Sequence, residues 1–188
     1  AVDDRWRMYW SPEGLDALLA TGSAPVSLIQ HELEHLLRQH GARRGARQHK
    51  AWNACCDAEI NDDIPHLHGC IFPSTLGGQD HDTAEVYYDT LEKEAQDEGK
   101  GKCCGGGSGV DGEQKDYEAG DEVVGVKDGE VPQILDQVAA DIKAAAARGT
   151  VPGGALVWAD ARLKKQAIDW RRLLAAQVRQ AKAAVAGY

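Results

Sequence analysis

Two histidines four residues apart, with a glutamate directly after the first, stand in the stretch SLIQHELEHLLRQHG, Ser27 to Gly41. On a helix, His31 and His35 project from one face, so two imidazole nitrogens can reach one metal ion. Glu32 is offset around the helix and can reach a water on that ion without being a ligand itself. This H-E-x-x-H spacing suits metal-dependent hydrolysis. Zinc lowers the pKa of a bound water towards ~7, and a glutamate takes its proton as the water attacks a carbonyl.

A catalytic zinc wants a third protein ligand and an open position. His40 follows His35 by five residues, which rotates it off the shared face of a continuing helix. Gly41 stands where a longer H-E-x-x-H-x-x-G-x-x-H pattern would need its histidine. The segment WNACCDAEIND is a better source. It spaces Asn53, Asp57 and Asn61 four apart, beside an apolar stripe of Trp52, Cys56 and Ile60. Asp57 is the only carboxylate in the polar row and is the first candidate for the third ligand. Asn53 and Asn61, one turn away on either side, could orient that carboxylate or bond the histidines' second nitrogens. Glu59 is the competing candidate. It lies about 200° around the helix from Asp57 at ~100° per residue, so the two cannot both face the ion. His66, His68 and His81, in or near loops, could bind or shield the metal, although such histidines are more often ordinary surface residues.

The elements that must position these groups are mostly helical. DRWRMYW, Asp4 to Trp10, alternates charged with apolar or aromatic residues and predicts a half-buried strand. A short helix is expected over Leu15–Ala20. Pro25 opens the helix that carries Val26, Ile29, Leu33, Leu36 and Leu37 at helical spacing, and Gly41 stops it. Further helices are expected from about Lys50 to Asp63, Thr83 to Asp97, Val131 to Arg148 and Trp158 to Ala186. In the last of these Leu163, Ile168, Trp170, Leu173, Leu174 and Val178 form the expected buried side. The Gly-dense stretch at about 99–115, which holds Cys103 and Cys104, reads as a flexible loop. It does not match a phosphate-binding G-x-x-x-x-G-K-[ST] loop.

With 188 residues, the chain suits one domain with a real core. A hydrophobic share of 43% and a charged share of 27% are ordinary for a globular protein, and no apolar run approaches the ~20 residues of a membrane helix. A net charge of −9 argues against a general nucleic-acid binder. Arg38, Arg43, Arg44, Arg47 and Lys50 form a local basic cluster, read as a solvated helix end or, alternatively, an anchor for an acidic substrate. The five cysteines include no C-x-x-C pair, which disfavours a cysteine-based zinc site and makes a reducing cytoplasm the default expectation.

The combination of HELEH, WNACCDAEIND, TAEVYYDTL, CGGGSGVDG, RGTVPGGALVWAD and IDWRRLLAAQVRQA resembles a bacterial family of predicted metal-dependent peptidases, over nearly the whole chain. In that family the metallopeptidase domain is usually followed by a von Willebrand factor A-like domain. The metal-binding D-x-S-x-S of such a domain is not in this sequence. The resemblance implies His31 and His35 as zinc ligands, Glu32 as catalytic base and Asp57 as third ligand. Tyr87 and Tyr88 match the family's "YY" element and Trp170-Arg171-Arg172 its late "WRR". The resulting expectation is a single α+β, mostly helical, zincin-like domain over 1–188, with a small β-sheet to which Arg5–Trp10 contributes an edge strand for β-addition of substrate. The expected activity is that of a zinc-dependent peptidase acting on a peptide or protein, with Tyr87, Tyr88 and His81 as candidate oxyanion donors. A zinc-containing binding module, or a hydrolase of some other bond, would use the same ligands.

Overall fold

The DRWRMYW segment does not form a strand. In the computed structural model, which describes residues 1–91, 107–111, 114–120, 122–149 and 151–165, no strand or sheet occurs among the described residues. One isolated antiparallel bridge, Val2 to Met8, is the extent of β pairing there. The mostly helical expectation holds; the small sheet and its edge strand do not. The reason is Asp3, which is fully buried and gathers the segment around its carboxylate. It accepts hydrogen bonds from the backbone N–H groups of Arg5 and Arg7 at 3.0 and 2.9 Å, from Arg7 Nε at 2.6 Å and from the Tyr9 hydroxyl at 2.7 Å. Burial alone would raise the Asp3 carboxyl, but the bonds from Arg7 and Tyr9 outweigh it and hold the group below the ordinary carboxylate range. Trp6 takes a positive φ of 62°, which an extended strand does not allow. The charged–aromatic alternation therefore belongs to a closed loop.

The helices are α1 (Pro12–Ala20), α2 (Pro25–Leu37), α3 (His40–Arg43), α4 (His49–Asn61), a 3-10 turn at Pro73–Leu76, α5 (Ala84–Thr90), α6 (Ser108–Asp111), α7 (Val131–Ala146) and α8 (Gly153–Lys165). Local chemistry sets their starts. Ser11 Oγ accepts from Gly14 N at the head of α1, Gln48 caps α4 by accepting from Ala51 N, and Pro25 opens α2. Of the expected helix Thr83–Asp97, α5 covers Ala84–Thr90 and ends where Leu91 is extended; residues 92–97 lie outside the described residues. Of the stretch 99–115, residues 107–111 and 114–115 are described: α6 packs against α3, with Ser108, Gly109 and Val110 buried. α8 begins before Trp158, and the expected buried positions Ile168, Trp170, Leu173, Leu174 and Val178 lie outside the described residues. So do Cys103, Cys104 and the Trp170-Arg171-Arg172 element.

α4 is the centre of the molecule. Every residue from Ala51 to Asn61 is buried, and an element enclosed on all sides must satisfy its polar groups internally. Trp52, Ala54, Cys55, Cys56 and Ala58 pack with Ile71, Ala84 and Tyr87; each large side chain there contributes about 1.5–3 kcal/mol. α2 is turned the unexpected way. Val26, Ile29 and Leu33 are exposed, while Leu28, His31, Glu32, His35 and Leu36 face inward. Its polar stripe is buried because the polar row of α4 lies opposite.

Candidate metal centre

α2 and α4 run antiparallel, as two pairings show: His31 meets Asn61, near the end of α4, and His35 meets Asp57, one turn earlier. The nitrogen His31 Nε2 is 3.1 Å from His35 Nε2. Asp57 Oδ1 is 3.6 Å from the first and 3.3 Å from the second. All three side chains are at least 96% buried. Tetrahedral bonds of ~2.0–2.1 Å give donor–donor edges of roughly 3.3–3.4 Å. The triangle thus matches a tetrahedral first-row cation in size and in donor type, two imidazoles and a carboxylate.

The outward nitrogens fix the inward ones. Asn61 Nδ2 donates to the Ile71 carbonyl at 2.7 Å, and since a carbonyl only accepts, Asn61 must turn its Oδ1 to His31. His31 Nδ1 then carries the proton it donates to that oxygen, at 2.7 Å, and its Nε2 presents a lone pair to Asp57 and His35. His35 Nδ1 is paired at 2.8 Å with His40 Nδ1. Burial pushes the imidazolium of His35 well below the ordinary histidine range, with the nearby His31 and His40 adding to it; neutral rings are the form that binds metal.

Glu32 is also buried. Its Oε1 lies 3.1 Å from the Ala1 amino nitrogen, while Oε2 has no hydrogen-bond partner. A carboxylate oxygen left bare in the interior is costly unless something polar comes to it, and a reacting water is such a group. Glu32 also borders a cavity of about 520 Å³ whose walls are largely Tyr9, Trp10, Leu15, Leu18 and Tyr117.

Other candidates are placed elsewhere. Glu59, the competing third ligand, is locked in an ion cluster: Arg43 donates through Nη1 and Nη2 at 3.0 and 2.9 Å, Arg38 Nη1 at 3.3 Å and Ala84 N at 2.6 Å. Burial would raise its carboxyl, but His40 and Arg43 drive it far below the usual range. Glu85 also accepts from Arg43, through Nε at 2.9 Å and through Nη2. Arg47 stacks over Trp52, 5.0 Å from the ring centroid. These arginines are thus committed to the fold. Tyr87 is fully buried and donates to the Gln79 carbonyl, and burial pushes its phenol up to about 12. The Tyr88 hydroxyl accepts from Gln48 N at 2.9 Å. Main-chain groups therefore engage both tyrosine hydroxyls. His81 is 68% exposed, with Nδ1 3.3 Å from Asp62 Oδ2, and forms a separate group with Asp62 and Asp63. His66 and His68 are exposed loop residues.

His40 was not legible as part of the site. A continuing helix would rotate it off the shared face, but α2 ends at Leu37 and Gln39 adopts a left-handed conformation, φ 54° and ψ 43°. That reversal swings His40 back under His35. The signal available in sequence is Gly41, which marks the end of the helical periodicity next to this histidine.

A metal-sized triangle of buried donors on two antiparallel helices, with one unpartnered oxygen of a buried carboxylate beside it, defines a mostly helical protein with a candidate metal centre. The chain belongs to the family described as "Putative metallopeptidase domain", whose model matches residues 1–188. That membership points to a metal-dependent peptidase and so to a metal ion. Neither the curated proteins nor the solved structures contain a match to the chain. Among the described residues, no helix is long and apolar enough to cross a membrane.

Proposed function

We propose that this protein is a zinc-dependent peptidase of the H-E-x-x-H kind. His31 Nε2, His35 Nε2 and the Asp57 carboxylate would hold the ion, and Glu32 is the general base. The observation that carries the reading is the convergence of three buried donors 3.1–3.6 Å apart beside an unpaired Glu32 oxygen. Zinc supplies Lewis acidity, acidifying water and polarising a carbonyl.

The chain's own residues do the rest. Asn61 holds His31 in the tautomer that offers Nε2. Asp57 offsets part of the ion's charge, which a third neutral imidazole would not. Glu32 Oε2 accepts the proton of the attacking water and later returns it to the leaving amine. With no edge strand from Arg5–Trp10, substrate is held in another way. The aromatic and aliphatic cavity beside Glu32 suits an apolar part of a peptide next to the scissile bond.

Incubation of the zinc-loaded protein with an unbiased peptide library, read by mass spectrometry, tests the proposal. Cleavage that disappears with chelator and with Glu32→Gln, and that clusters at apolar residues, is expected. Tight zinc binding with no cleavage of any library member would instead favour a metal-bearing binding module.

A further inference from the structure

His40 is fully buried, lies against a candidate ligand and has no part in the chemistry above. Its surroundings are built to hold it. The backbone carbonyl accepts from Trp52 Nε1 at 3.0 Å, the left-handed Gln39 fixes the approach, and the ring stands edge-on to Trp52. Nδ1 meets His35 Nδ1 at 2.8 Å, and Nε2 faces Glu59 Oε2 at 3.5 Å. Glu59 is an anion anchored by Arg38, Arg43 and Ala84 N.

These contacts admit a single consistent proton order when His35 Nε2 presents a lone pair. His35 Nδ1 carries a proton and donates it to His40 Nδ1. His40 then carries its own proton on Nε2, the atom that faces the Glu59 carboxylate. The contact of His40 Nδ1 with His35 parallels that of Asn61 Oδ1 with His31, so both rings are oriented from behind; beyond it, His40 Nε2 lies 3.5 Å from Glu59 Oε2 without a hydrogen bond.

We propose that His40, backed by Glu59, is a positioning residue of the metal centre: it fixes the tautomer and ring plane of His35. The inference rests on the assignment of His31, His35 and Asp57 as ligands. It commonly falls to a carboxylate or carbonyl to orient a ligating histidine; here a second histidine takes that place, with a carboxylate facing its far nitrogen.

The test compares His40→Asn with His40→Gln in the full chain. Asparagine places its Oδ1 where Nδ1 stood and can still accept from His35. Glutamine places its amide where Nε2 stood, facing Glu59, and leaves His35 unsupported. Zinc affinity is measured by competition with a chromophoric chelator, the visible spectrum of the Co²⁺-loaded protein reports ligand geometry, and melting without metal reports the fold. His40→Gln should weaken zinc binding about 10–100-fold and shift the Co²⁺ bands, while His40→Asn stays close to the parent in both. If the two variants lose stability alike but bind metal alike, His40 is only a packing residue and the inference fails. If the parent itself binds no zinc, the ligand assignment fails first.

Discussion

Replacing Glu59 by glutamine separates the two roles this residue could play. As a carboxylate it accepts four hydrogen bonds, two on each oxygen: Oε1 from Arg38 and Arg43, Oε2 from Arg43 and Ala84 N. Glutamine keeps the shape but turns one oxygen into an NH2 group that faces donors. Two bonds to a charged group are lost whichever way the amide turns, at about 1.5–3 kcal/mol each. That agrees with the ~3–5 kcal/mol for breaking a buried pair. For a chain of this length the melting temperature should fall by roughly 6–20 °C at 2–4 °C per kcal/mol. The measurement is calorimetry or urea unfolding of the metal-free protein. The folded-state pKa of Glu59 is depressed, so its contribution is full above the ordinary carboxyl value of 4.5 and fades as pH falls below it. The gap between parent and variant should therefore be constant near neutral pH and close in acid. A variant that melts within 2 °C of the parent without metal would refute the assignment of Glu59 to a stabilising ion cluster.

Asp57→Ala should weaken zinc binding by more than the ~10–100-fold that loss of an orienting group causes, with the apo protein still folded; chelator competition and circular dichroism decide it. Glu32→Gln should keep the parent's zinc content, read by atomic emission, and lose hydrolysis of any peptide the parent cleaves. Asn61→Leu should lower zinc affinity about 10–100-fold and also reduce apo stability by about 1–3 kcal/mol, because the buried Ile71 carbonyl loses its donor. Trp10→Ala should raise KM for substrates with an apolar side chain at the cleavage site while leaving zinc content unchanged; an unaltered KM would detach the cavity from substrate binding.

The helices and the His31–Glu32–His35 face were legible because local spacing determines both. Asp57 and Asn61 were legible for a related reason. Short polar side chains four apart on a helix that also carries Trp52, Cys56 and Ile60 must face a polar partner. What failed was non-local. One buried carboxylate, Asp3, closes the Arg5–Trp10 segment into a loop, and period-two alternation cannot reveal that. The left-handed Gln39 reverses the chain and makes helical-wheel angles meaningless past Leu37. The setting of Glu59 is equally non-local, because its partners Arg38, Arg43 and the Ala84 amide come from three separate elements. The exposed side of α2 was misleading too, since its apolar residues point outward and its polar ones inward.

His35 and Asp57 sit at the two ends of a segment that contains α3 and the turn Arg44-Gly45-Ala46-Arg47. An ion bonded to both would close that segment into a ring. In the unfolded chain such a tie removes loop entropy much as a disulfide does, worth about 3 kcal/mol for a ring near this size. Loss of the ion would then resemble reduction of a cystine bridge, with the arginine-bearing turn the first stretch to open to trypsin.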